Sequence, residues 1–428
     1  MSSRKLFDLD GAISAAKAEW KFVVATFAAS GVGYLGSAGA PIIVSALIDS
    51  GLSTQQAGDL GTIELTMLAI SSTAVTPLVT RISHRRLAMS GAAFAVIGLL
   101  LSVMSESYGE MMIGRVITGL GSGLAISGAN AAVAAREDAE RIFALIWTMG
   151  GGITASLTYG LPYVVTDGNY PMGFGVLLLL CLAGLPFMVW VPPQPNLPEY
   201  PGTSGSTERA VDPARGESDT RSSLFSPAAI MALFGIFIYS VAEQALWNFG
   251  YYIPVQAGVP EEVVGGILSI TVLMGLAGGA FAAWFGVRMG RVWPIVIGSL
   301  LSLAGRWVFI ASSTSEWVFF GGLLWGLGFY FVSPYQIGLV AALDRHGRLA
   351  VLGGGAMNFG YALGPMIAGR LLESLDSSAF LVVIVAATFA SLFLLLPLAF
   401  KVDRMGTENE RRAQAGEKGK LYPGAIED

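Results

Sequence analysis

Residues 379–400, AFLVVIVAATFASLFLLLPLAF, run from Ala379 to Phe400 without one charged side chain. An α-helix rises about 1.5 Å per residue, so roughly 20 such residues cross a hydrocarbon core of about 30 Å. Eleven further stretches have the same character, at 22–48, 60–80, 87–104, 109–135, 142–165, 171–191, 227–255, 264–286, 293–312, 317–343 and 350–372. The whole chain of 428 residues is 54% apolar and 13% charged, with a mean hydropathy of +0.63. A soluble domain carries about 25% charge, which argues against a soluble enzyme. The expected fold is an all-α polytopic membrane protein with twelve transmembrane helices. The lone Cys181 allows no intrachain disulfide, and the first twenty residues lack the apolar core and cleavage site of a removable signal peptide.

The stretch from Pro192 to Ser223 breaks this pattern. It mixes proline, glycine, serine and both charge signs, cannot bury a core, and reads as a linker. The expected organisation is therefore an arm at 1–21, a six-helix bundle at 22–191, a linker at 192–225, a second six-helix bundle at 226–400 and a tail at 401–428.

Basic residues give the orientation, because cytoplasmic loops retain Lys and Arg. Of the 25 basic residues, 22 lie in the arm, the even-numbered loops (the linker among them) and the tail. The alternate loops carry acids such as Asp49, Asp167, Glu261 and Glu316 and no Lys or Arg. Both termini and the linker are expected in the cytoplasm, in a bacterial inner membrane.

The two halves also align at an offset of 207 residues. Gly58 meets Gly265, Arg81 meets Arg288, Gly119 meets Gly326, Gly121 meets Gly328, and Arg141 meets Arg348. Arginine matches at loop ends are harder to obtain by chance than glycine matches, so each half reads as a copy of one unit. Such duplications build transporters with a midplane site between the repeats.

With these motifs the chain resembles the major facilitator superfamily over essentially its whole length. The superfamily's Gly-x-x-x-Asp-Arg-x-Gly-Arg-Arg motif after the second helix corresponds to TPLVTRISHR, where Arg81 and Arg85 match but the first Gly, the Asp and the second Gly are replaced by Thr76, Thr80 and Ser83. The second copy, RMGR, keeps Arg288, Gly290 and Arg291, with Val287 at the acidic position. The resemblance implies that Arg81, Arg85, Arg288 and Arg291 form a cytoplasmic gate, weakened by the missing acids. RVITGLGSG matches the fourth-helix pattern through Arg115, Gly119, Gly121 and Gly123, whereas GGGITASLTYGLP lacks the Gly-Pro pair of the fifth-helix antiporter signature. A related pattern occurs on the eleventh helix as GYALGPMIAG. The resemblance also places helices one, four, seven and ten around a central cavity.

A charge at the bilayer centre costs about 2.5–3.5 kcal/mol, so intramembrane charges require reasons. They are Arg115, Arg306, Glu64 and Glu243, with Asp59 expected at the outer mouth and Arg370 close enough to the outer end to snorkel. Burial favours the neutral form of a carboxyl and a nearby arginine favours the charged form, so Glu64, Glu243 and Arg115 are the proton-coupling candidates. The competing reading is a fixed Glu64–Arg115 pair. Arg306 is expected to bond within the C-terminal bundle.

On the seventh span Tyr239, Glu243, Trp247 and Tyr251 recur every four residues, flanked by Gln244 and Asn248. One helical face thus holds nearly all of that span's polarity, and it should line a water-filled cavity or pack on polar partners. Tyr34, Arg115, Tyr330, Gln336, Asn358 and Tyr361 complete the expected substrate-binding set, with the alternative that any single aromatic among them only packs. There is no phosphate-binding glycine loop and no metal-spaced His/Cys cluster, so neither cofactor nor metal is expected, and no paired catalytic residues suggest an enzyme. The reading is a monomeric secondary transporter of a small organic, anionic or amphipathic solute, coupled to protons, with the lipid bilayer as its setting and no nucleic-acid partner. Symport is favoured over drug or metabolite efflux antiport, and a non-transporting receptor or scaffold is the rival from another class.

Overall fold

The computed structural model describes residues 9–79, 81–136, 139–193, 226–286, 288, 290–343 and 348–414. The linker beyond Pro193, the first eight residues of the arm and the tail beyond Gln414 lie outside them. Twelve long helices follow in order: α1 Leu9–Asp49, α2 Thr54–Val75, α3 His84–Met104, α4 Tyr108–Ala134, α5 Ala139–Gly160, α6 Tyr170–Met188, α7 Pro227–Phe249, α8 Glu261–Phe285, α9 Val292–Ala311, α10 Ser315–Ala342, α11 Arg348–Ser374 and α12 Ser377–Gln414. A single helical turn, Tyr252–Gln256, follows α7. Ten of the long helices are apolar and long enough to span a bilayer; α2 and α11 are not among them. Side chains that a soluble protein would bury face outward, with Phe393 77% exposed and Leu179 66%, as lipid contact requires.

Several expected boundaries move. α2 begins at Thr54, six residues before the expected start, because Ser53 and Gln56 form a reciprocal capping box. The Gln56 amide N–H donates to Ser53 Oγ at 3.2 Å, and the Ser53 amide N–H donates to Gln56 Oε1 at 3.0 Å. The seventh span stops at Phe249, short of the expected 255. α1 and α12 extend beyond their apolar blocks into polar sequence, to Leu9 and Gln414.

The described chain divides into two compact units. The first takes in the described residues within 1–50, 63–157 and 164–199; the second takes in those within 51–62, 158–163 and 200–428. In the first unit α3 packs on α4, and α1 on α4 and α6; in the second α9 packs on α10, α7 on α11 and α12, and α8 on α10.

The 207-residue repeat reappears as matched contacts. A Cβ on Gly98 would stand 2.6 Å from the Gly114 carbonyl oxygen, and one on Gly305 would stand 2.7 Å from that of Gly321. Likewise Gly121 would meet the Gly91 oxygen at 2.5 Å, and Gly328 that of Gly298 at 2.8 Å. Glycine at each place lets the two backbones touch, the usual means of packing helices in lipid. The register extends to α1 and α7. Ser122 Oγ donates to the Val32 carbonyl at 3.2 Å, and the counterparts of these two residues, Phe329 and Tyr239, stack with ring centroids 6.3 Å apart.

Candidate functional site

Among the described residues each unit holds an acid–arginine pair whose arginine is buried. In the first, Glu64 comes from α2 and Arg115 from α4. Arg115 Nη1 donates to Glu64 Oε2 at 3.0 Å, Nε and Nη2 donate to Ser102 Oγ at 3.2 and 2.6 Å, and Nη2 also reaches Thr118 Oγ1 at 3.2 Å. The Phe174 ring of α6 lies 4.3 Å from the guanidinium carbon. Arg115 is 2% exposed. The Glu64 carboxylate rests directly against Gly36 of α1. Sequence reasoning raises the fixed pair as the competing reading for Glu64, and the structure brings the two groups together.

In the second unit, Glu243 of α7 meets Arg306 of α9, with Arg306 Nη2 at 2.7 Å from Glu243 Oε2. The other carboxylate oxygen accepts the Trp325 indole N–H at 2.8 Å. Arg306 Nε and Nη2 donate to Ser302 Oγ at 3.1 and 2.9 Å, and its guanidinium lies 4.8 Å above the Tyr239 ring. Arg306 is wholly buried, and its bond within the C-terminal helices is the one expected for it. Trp325, an apolar residue on a hydropathy scale, is the member that sequence reasoning misses. Arg306 Nη1 and Gln336 Nε2 are buried and have no hydrogen-bond partner among the described residues.

The remaining expected substrate residues differ in their exposure. Gln244, Asn248 and Gln336 are buried; Asn248 Nδ2 donates to the Gln244 carbonyl at 3.0 Å. Trp247 is half-buried and stands edge-on to Trp325 at 6.2 Å. Tyr251 lies past the end of α7, where its hydroxyl donates to the Glu261 carbonyl at 3.2 Å and fixes the start of α8. Tyr330 and Tyr361 are half-buried and Asn358 is exposed. Tyr34 is 46% exposed beside Trp147, ring to ring 6.1 Å.

The sequence model of the Major Facilitator Superfamily matches residues 24–343 and 232–422. The chain belongs to this superfamily. A relative from Bacillus subtilis (strain 168), the uncharacterized MFS-type transporter YbcL, is 23% identical over 348 residues, or 78% of this chain and 85% of that protein. Among solved structures, a point mutant of the nucleoside transporter NupG superposes with a TM-score of 0.67 at 14% identity, covering 91% of this chain and 99% of its own. A bacterial homologue of the human drug peptide transporters PepT1 and PepT2 gives 0.64 at 15% identity, covering 90% and 99%. The superfamily and these neighbours are in accord with the twelve-helix architecture, in a multi-pass membrane transporter.

The superfamily motif after α2 places Arg81 on the surface, while Arg85 Nε donates to the Val191 carbonyl at 2.8 Å. In the second copy Arg288 is also exposed. There the turn closes through Gly290, whose φ of +68° suits glycine. Asp403, beyond the apolar part of α12, accepts the amide N–H of Arg291 at 2.7 Å and of Val292 at 3.1 Å. This chain thus places an acid at the motif from a different helix, at the N-terminus of α9, where a carboxylate is stabilising.

The second unit also contains the first turns of α2. Arg370 does not simply snorkel to water: its Nη1 donates to Asp59 Oδ1 at 2.8 Å. Thr54 Oγ1 donates to Glu373 Oε2 at 2.7 Å and to the Gly369 carbonyl at 3.0 Å, and the Met366 amide N–H donates to Thr62 Oγ1 at 2.9 Å. The Thr54 hydroxyl holds the Glu373 carboxyl below its ordinary range.

Proposed function

We propose that the chain is a proton-coupled secondary transporter that moves a small organic solute across a bacterial inner membrane by alternating access. Its termini face the cytoplasm, Glu64 and Glu243 are the proton-coupling acids, and Arg115 is the coupling partner of Glu64. The observation that carries this reading is the two acid–arginine contacts inside the helical units, Glu64 half-buried and Glu243 buried, each held by one buried arginine. Such a pair is costly in lipid and is kept where charge movement is the task. A conformational change that separates acid from arginine favours proton uptake by the acid, and the return step reverses it.

The solute is an acceptor-rich or anionic organic molecule. The buried donors Arg306 Nη1 and Gln336 Nε2 support this, because a donor left unpaired costs about 1–3 kcal/mol until an acceptor reaches it. Aromatic neighbours such as Trp247 and Tyr330 suit a partly apolar molecule. The basic residues Arg81, Arg85, Arg288 and Arg291 serve the cytoplasmic gate in this scheme.

The test is a flux assay in proteoliposomes loaded with a pH-sensitive dye and offered nucleosides, short peptides and organic acids. One class should carry protons inward with it, and Glu243→Gln should abolish that proton signal. Solute flux with no proton movement would reduce the protein to a facilitator. Proton release on solute entry would make it an antiporter, and saturable binding without flux a receptor.

A further inference from the structure

The cytoplasmic-side ends of four segments of the first unit border an open groove of about 680 Å³, lined by Glu19, Lys21, Phe22, Arg85, Arg136, Val189, Trp190 and Pro192. Its size falls in the range of small-molecule sites. Three of these residues are cations. Lys21 Nζ stands 5.4 Å over the Trp190 ring, and the Arg136 guanidinium lies 4.8 Å over Phe22. Arg85 is tethered through Nε to the Val191 carbonyl. Neither Lys21 nor Arg85 has a carboxylate within ion-pair distance among the described residues. The one acid in the lining, Glu19, is offset by Arg141 at 2.9 Å.

The rim is apolar and outward-facing. Trp190 meets Trp20 and Phe187 edge-on at 5.3 and 5.6 Å. Trp20 is 46% exposed, Phe187 39% and Val189 46%. A cationic groove opening onto an apolar flank beside interfacial tryptophans matches a molecule with a phosphate at one end and hydrocarbon at the other. A free phosphate would have no use for the flank.

We propose that this groove holds the headgroup of an anionic phospholipid of the cytoplasmic leaflet, with its acyl chains along Phe187 and Val189. The side of the membrane rests on the orientation given above, whereas the binding itself does not. A smaller groove of about 420 Å³ lies at the end of α12, lined by Pro397, Phe400, Lys401, Arg404 and Met405, and Pro397 is the counterpart of Trp190 at the 207-residue offset. There both cations come from one helix, so they do not surround a headgroup.

Native mass spectrometry on the delipidated full chain in detergent tests the proposal without reference to transport or sidedness. Phosphatidylglycerol should be retained at one per chain and at lower concentration than phosphatidylcholine. Lys21→Gln should weaken retention about fivefold, and Lys21→Gln/Arg85→Gln about twenty-five-fold, at the usual contribution per cation near an anionic surface. Lys401→Gln/Arg404→Gln should leave it unchanged. Should the double variant fail to stay monodisperse, the exposed Lys21 carries the test alone: Lys21→Arg retains the lipid as the parent does and Lys21→Gln retains it about fivefold less tightly. Equal retention of the two lipids, or full retention by Lys21→Gln, would overturn the proposal. So would displacement by equimolar glycerol 3-phosphate, which would assign the groove to a free phosphate.

Discussion

The Glu64 carboxylate occupies the space that a side chain at Gly36 would need, and position 36 is the repeat counterpart of Glu243. The first copy therefore brings its acid to this crossing from α2, over a glycine of α1. The second copy carries its acid on α7 itself, with Thr271 at the counterpart of Glu64. The arginines differ as well: Arg115 comes from α4, and its counterpart is Gly322, while Arg306 comes from α9, opposite Leu99. Both copies have an acid in contact with a buried arginine, but none of the four charged positions is shared.

Gly36→Ala should push the Glu64 carboxylate off Arg115. A close-packed interior penalises an inserted methyl by about 1–3 kcal/mol, so the melting temperature in detergent should fall. Glu64→Asp in the same chain withdraws the carboxylate by one methylene and should recover part of the loss. A Gly36→Ala protein that melts like the parent would contradict this packing.

Arg306→Leu leaves Glu243 buried with only the Trp325 indole as a partner. Removing one member of a buried pair typically costs about 3–5 kcal/mol. Arg306→Leu/Glu243→Leu should be less destabilised than either single variant, because no charge remains in the interior. Denaturant titration of the four proteins gives the coupling; strictly additive losses would show that the two groups do not depend on each other.

The contrast between spans and partners follows from what each requires. Lipid demands long apolar blocks, so residues 379–400 and their eleven companions are legible as spans, and the glycine-to-glycine offset reveals the repeat. α2 starts earlier than hydropathy predicts because its first turns are polar: a hydropathy scale does not register the Ser53 and Gln56 capping box, although the S-x-x-Q spacing is there to be read. The intramembrane charges announce themselves by cost, and the Glu64 partner can be named because the choices are few. Tertiary partners without a charge signal cannot be. Trp325 counts as apolar, Asp403 lies 112 residues from the amide it caps, and Arg370 sits close enough to the end of its helix to reach water unaided, yet pairs with Asp59.

Asp403→Ala should expose the first amides of α9. Loss of a capping acceptor costs about 0.5–2 kcal/mol, and Asp403→Asn, which still presents an oxygen, should lose less. Thermal denaturation in detergent separates the two. Equal melting of both with the parent would assign the Asp403 contacts no role in stability.

Glu373 gives a pH dependence with a defined sign. Its carboxyl is held below the ordinary range by the Thr54 hydroxyl, so its contribution is present above the unfolded value and disappears as pH falls through the depressed native one. Thr54→Val should melt below the parent at neutral pH, and the gap should close at strongly acidic pH. A gap that persists there would mean that Thr54 acts through the Gly369 carbonyl alone.

The matched glycine contacts of α3 with α4 and α9 with α10 make the chain an alignment of itself. The backbone crossings at Gly98 and Gly305 are the same in the two halves, while the ionisable groups stand on different helices. Packing geometry is the shared part of this design and charge placement the part that differs. A gene made of two second halves should therefore still assemble its helix pairs, but would carry the Glu243 and Arg306 arrangement twice.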